Sequence, residues 1–147
     1  MRFHPWALFP TVLYIGFVGW VTLGPQPYDS STAGLLTRFF DFSQSHASTR
    51  WLDFSNVEGL ANVAMFVPLG FFLALFLPRR AWLVAAVLCV LASTGIEMFQ
   101  GAYLPTRVED VRDIVHNGTG GLIGAVLAAV IRFVVAPRPR SRRLRTV

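Results

Sequence analysis

Four long runs of apolar residues make up most of the chain, and the polar positions inside them are few enough to name one by one. The first run, Trp6 to Leu23, follows Arg2 and His4 and ends at Gly24-Pro25. Its roughly 18 residues reach the lower end of a spanning length, and no small-residue cleavage site follows. It therefore reads as a retained transmembrane helix and not a signal peptide. Trp6 and Trp20 fall near the two interfaces, where amphipathic rings are favoured, and Pro10 is expected to kink the first turns. The second run, about 56–77, opens with Ser55-Asn56-Val57-Glu58, a capping box in which Ser55 and Glu58 satisfy free backbone donors, and stops at Pro78. Arg79 and Arg80 precede the third run, about 82–100. The fourth, about 107–135, opens with a second box, Thr106-Arg107-Val108-Glu109, just after Pro105. Its roughly 29 residues would extend about 43 Å at 1.5 Å per residue, beyond a hydrocarbon thickness of about 30 Å. Its first two turns are thus expected to stand in the interface.

Between the first two runs, the segment 24–54 is too short to span. Its centre, AGLLTRFFDF, sets Leu35, Leu36, Phe39 and Phe40 against Thr37, Arg38 and Asp41, the pattern of a short interfacial helix or of a lid over the bundle. The expectation is an all-α membrane protein: a bundle of four transmembrane helices with a short interfacial helix between the first two. Residues 1–135 would form this domain and 136–147 a basic tail.

Composition agrees with the pattern. Mean hydropathy is +0.53 and only 14% of residues are charged, against about 25% in an ordinary soluble domain. All 13 positive residues are arginine. Nine of them share a side with residue 2, while Arg38, Arg50, Arg107 and Arg112 fall on the other. The positive-inside rule then puts both termini of a multi-pass membrane protein in the cytoplasm. Nothing aromatic accompanies the arginine tail, so it is expected to meet an anionic leaflet and not nucleic acid. The single cysteine, Cys89, excludes an intrachain disulfide and reads as a small core residue.

Candidate chemistry gathers where the third run ends and the fourth begins. Ser93, Glu97 and Gln100 stand at i, i+4 and i+7, on one helical face; Arg107, Asp110, Asp113 and Asn117 share a face of roughly 120° on the next helix. Asn62, two turns into the second run, is at the same depth. A carboxylate inside an apolar segment is costly and marks a site whose partner must be named; for Glu97 that candidate is Arg107, with Asp110 competing for the same guanidinium. Asn62 and Asn117 also suit hydrogen bonding between helices, and Gly120 and Gly124 suit close helix packing. His116, about 100° round the helix from the polar face, is kept outside the site.

Asn62-x-x-x-Phe66-x-Pro68-x-Gly70, Ser93-x-x-x-Glu97-x-x-Gln100 and Arg107-x-x-Asp110-x-x-Asp113-x-x-x-Asn117-x-x-Gly120 resemble, in this order, the successive motifs of the VanZ-like family of small bacterial membrane proteins. The resemblance covers roughly Val57 to Ile131. It implies a membrane domain of four or more helices and an association with resistance to teicoplanin and related lipid-bearing antibiotics.

The leading expectation is an outward-facing site, not an enzyme's, that binds an anionic lipid, a lipid-linked envelope precursor or an amphiphilic antibiotic. Arg107 and Arg112 would take the anionic group, Glu97 and Gln100 would orient it, Asn62, Asp110, Asp113 and Asn117 would complete the site, and a kink at Pro68 would make room for a tail. A competing reading is an enzyme in which Glu109, Asp110 and Asp113 hold Mg²⁺ against a lipid phosphate, with Glu97 as acid or base. No glycine-rich phosphate loop, Ser/His/Asp set or Cys/His cluster accompanies those carboxylates, and no resident cofactor is expected. A third reading is a structural partner in a larger membrane complex.

Overall fold

The computed structural model describes residues 4–24, 30–104 and 110–135, with the side chains of 30–33 left aside. Among the described residues five α-helices follow one another: α1 (Leu8–Leu23), α2 (Ser30–Ser45), α3 (Phe54–Phe76), α4 (Trp82–Tyr103) and α5 (Val111–Val134). Short 3₁₀ turns at Pro5–Ala7 and Arg79–Ala81 lead into α1 and α4. All but α2 are long and apolar enough to cross a bilayer, and no strand occurs among the described residues. The expected all-α membrane bundle is what forms. The expected tail lies outside the described residues.

Successive spans alternate in direction. The N–H of His4 donates to the Phe76 carbonyl at 3.1 Å, and the Arg132 guanidinium donates to the carbonyls of Ala74, Leu75 and Leu77. The start of α1, the end of α3, the start of α4 and the end of α5 therefore share one end of the bundle, called here the arginine end. The opposite, carboxylate end holds Asp53, Glu97 and Asp110.

Two helix starts differ from the sequence expectation. Helix α3 begins at Phe54 with Asp53 as its cap, whose carboxylate accepts from the Asn56 N–H at 2.8 Å, in place of the Ser55/Glu58 box. An ionised cap bonds the first free donors more strongly than a hydroxyl, and a carboxylate at a helix N-terminus also meets the positive end of the dipole. Helix α5 begins at Val111, capped by Asp110, whose Oδ1 accepts from the Arg112 N–H at 2.8 Å. The box at Thr106–Glu109 lies outside the described residues, and the 24 residues of α5 extend about 36 Å. Pro10 stands third in α1, where a missing N–H removes no helical bond, so it opens the helix instead of interrupting it. Pro68 lies within an α3 that continues to Phe76, and beside it the Tyr14 hydroxyl of α1 donates to the Met65 carbonyl at 2.9 Å.

Helices α3 and α5 run parallel in close contact, which small residues permit. A Cβ on Gly124 would collide with the Val67 carbonyl oxygen of α3, and one on Gly70 with the Gly121 carbonyl oxygen of α5. The expected role of Gly120 and Gly124 in packing holds, with α3 as their partner. Helix α4 closes the group: Cys89 is fully buried with Phe66, Leu69 and Val18. A second cluster of Ala7, Ala74, Leu75, Ala85, Ala125 and Ala128 fills the arginine end. Large apolar side chains such as Phe9, Leu91 and Phe133 point outward, as expected where lipid is the solvent. Helix α2 leans on the turn after it: the Phe40 ring packs on Phe54, and the Ser43 hydroxyl donates to the Leu52 carbonyl at 2.8 Å.

Candidate functional site

The polar stripe of α4 is buried. Ser93 is 0% exposed, Glu97 6% and Gln100 5%, and Cys89, one turn earlier on the same stripe, is 0% exposed. These positions recur on one side of α4, and that side is turned to the bundle. Gly121 of α5 sits directly on Cys89, with room for nothing larger. One turn toward the carboxylate end, Asn117, 3% exposed, meets Ser93. Its Nδ2 donates to the Ser93 hydroxyl oxygen at 2.8 Å. The two polar stripes do face each other.

Glu97 acts on the backbone. Its Oε2 accepts from the N–H of Asp110 at 3.1 Å, the peptide that leads into α5. The Asp110 carbonyl in turn accepts from the Asp113 N–H at 2.9 Å, so the buried carboxylate is tied to the first turn of the helix. Its negative charge lies where the macrodipole of α5 is positive, an arrangement that stabilises both. Asp110 is thus a cap and not a member of the helical face; its Oδ1 is engaged with the Arg112 N–H. Gln100 reaches the other way: its Nε2 donates to the Thr22 carbonyl at 2.8 Å, fastening α4 to the last turn of α1.

The remaining candidates occupy the margin. Asp113 is half-buried and Arg112 exposed at the start of α5. Asn62 is half-buried on α3; its neighbours Gly59 and Val63 adjoin His116 and Gly120, which puts Asn62 level with Asn117. Arg107 and Glu109 lie outside the described residues, and with them the proposed Glu97–Arg107 pair. No three His, Cys, Asp or Glu side chains come together at metal-binding distance among the described residues.

Among the described residues, two buried side-chain polar atoms have no hydrogen-bond partner: Asn117 Oδ1 and His116 Nδ1. By spacing alone, His116 stands apart from the polar face, round the helix from it. That side of α5 is the one facing α3, where the imidazole is seated on Gly59. A glycine in the second turn of α3 is the signal that a bulky neighbour approaches there. In the sequence, Arg132 is one more positive charge that sets the orientation. Its guanidinium instead satisfies the last carbonyls of α3, with Nη1 at 2.6 Å from Ala74 O and 2.9 Å from Leu77 O and Nη2 on Leu75 O.

The site, then, is a buried hydrogen-bonding set built from the ends of two spans, held by small residues and retaining unused bonding capacity. The sequence model of the VanZ/LLP1 family matches residues 11–132. That range begins in α1 and takes in α2, both of which the motif resemblance left out. No curated protein and no solved structure matches the chain. The family match runs through every span and every described residue of the polar set, and the chain belongs to the VanZ/LLP1 family.

Proposed function

We propose that the polar set at the carboxylate end binds the headgroup of an anionic lipid or lipid-linked envelope molecule at the outer face of the bacterial plasma membrane. Occupancy of that site would contribute to resistance to glycopeptide or lipopeptide antibiotics. The observation that carries the reading is Asn117 Oδ1, a buried acceptor with no donor among the described residues, beside Ser93 and one helical turn from Glu97 along the facing stripe. A buried acceptor left unbonded costs about 1–3 kcal/mol, a cost removed when a ligand hydroxyl or N–H bonds it. Arg112, exposed at the start of α5, and Arg107 supply positive charge for an anionic group, reinforced by the helix dipole. The nine-to-four division of arginines supports an outward-facing site.

The test is mass spectrometry of the lipids retained by gently purified protein, wild type against Arg107→Ala and Asn117→Leu. The expected result is a specific anionic lipid carried by the wild type and lost in both variants. Equal retention in correctly inserted variants, together with unchanged antibiotic tolerance in Glu97→Gln, would overturn the reading.

A further inference from the structure

The arginine end carries a feature that the polar set does not use. A cavity of about 470 Å³ opens between the start of α4 and the last turns of α5. Arg79 and Arg132 line it together with Trp82, and Val126, Val130 and Phe133 form its apolar wall. Those three wall residues are exposed, so the cavity is continuous with the lipid-facing surface of α5. It has a charged head, an indole at the level where amphipathic rings favour the membrane interface, and an apolar flank along the span.

The two arginines differ in how far they are committed. Arg132 is occupied by the carbonyls of Ala74, Leu75 and Leu77. Arg79 is exposed in the 3₁₀ turn that leads into α4. Among the described residues lining the cavity there is no carboxylate, so two like charges border one space without a counter-charge. An anion in that space relieves their repulsion, and the apolar flank selects an anion that carries a hydrocarbon chain.

We propose that this cavity is a binding site for an anionic phospholipid of the leaflet at the arginine end. Arg79 holds the phosphate, Trp82 packs against the glycerol region, and one acyl chain lies along Val130 and Val126. Arg132 contributes charge while its own bonds fix the wall. The site is separate from the polar set and stands or falls independently of the function proposed for it.

The experiment uses the full chain in nanodiscs, with Trp6, Trp20 and Trp51 replaced by Phe so that Trp82 is the sole fluorophore among the chain's four tryptophans. Brominated phosphatidylglycerol and brominated phosphatidylcholine are compared as quenchers. Trp82 should report about a fivefold preference for phosphatidylglycerol, the size of effect that one arginine exerts near an anionic surface. Arg79→Gln should abolish the preference. Arg80→Gln, the same change of charge on a neighbour outside the cavity lining, should leave it. Ala129→Phe, which fills the cavity from α5, should reduce quenching by both lipids. Equal quenching by the two lipids in the parent, a preference that survives Arg79→Gln, or equal losses in Arg79→Gln and Arg80→Gln would each overturn the proposal. An unchanged helical circular dichroism spectrum in each variant keeps the comparison interpretable.

Discussion

The two ends of the bundle use the same device with opposite charges. At the carboxylate end, Glu97 of α4 accepts the backbone N–H that leads into α5; at the arginine end, Arg132 of α5 donates to the last carbonyls of α3. In each case a charged side chain from one span satisfies the unpaired backbone groups at the terminus of another, and its sign matches the dipole there. The ends differ in what is left over. Arg132 is bonded to three carbonyls, whereas the carboxylate end retains Asn117 Oδ1 and His116 Nδ1 without partners among the described residues. A closed network gives stability. An incomplete one gives less, and leaves groups that a ligand can complete, which is the ground for proposing a headgroup site at that end.

The change with the largest expected effect breaks both ends at once. Gly124→Leu drives a side chain into the Val67 carbonyl and Phe71 N–H of α3, separating the two helices that carry the termini in question. A loss of about 3 kcal/mol is expected for overpacking against backbone, read as a lower midpoint of unfolding in a denaturing-detergent titration. Second in size is Arg132→Ala, which strands three carbonyls at the end of α3. It should cost about 2 kcal/mol in the same titration, with hydrogen exchange rising in the last turn of α3 while the start of α5 keeps its protection. Exchange rising equally at both ends would mean that the two networks are one unit.

These networks show where a sequence is legible. Hydropathy and spacing suffice for four spans, for the alternation of direction and for the facing stripes of Ser93 and Asn117, because those depend on local periodicity and on the bilayer's length scale. Helix starts are less legible. Asp53 and Ser55 both suit a cap, and the one that captures the first donors in three dimensions excludes the other. Arg107, Asp110 and Asp113 have helical spacing, yet α5 starts only after Asp110. Long-range partners are not legible at all: nothing local links Gln100 to Thr22, Arg132 to Leu75 or His116 to Gly59. Each of those pairs exists because two helices happen to end, or narrow, at the same depth.

A smaller change sharpens the contrast between the ends. Glu97→Gln keeps an oxygen that can accept from the Asp110 N–H but removes the charge beside the α5 N-terminus. The expected cost is about 1 kcal/mol, below that of Arg132→Ala. A cost equal to or larger than that of Arg132→Ala would mean that Glu97 carries more of the fold than one backbone bond, and would weaken its candidacy as a ligand group.

The smallest expected effect on stability is also the most telling. Ser93 and Asn117 bond each other inside the bundle, and Asn117 also buries an acceptor that no described residue satisfies. Replacing both, Ser93→Ala with Asn117→Leu, removes one good hydrogen bond and one desolvated orphan, terms of comparable size and opposite sign. When both partners give way to apolar groups of similar shape, the net change is close to zero, within about 0.5 kcal/mol. If the pair served only to join α4 and α5, such a double variant would be indistinguishable from wild type in every respect. If the orphaned oxygen is held for a ligand, stability stays level while the retained anionic lipid disappears from the mass spectrum. Unchanged stability together with unchanged lipid retention would remove Asn117 from the site and reduce the Ser93–Asn117 pair to the closed, structural role that Arg132 has at the opposite end.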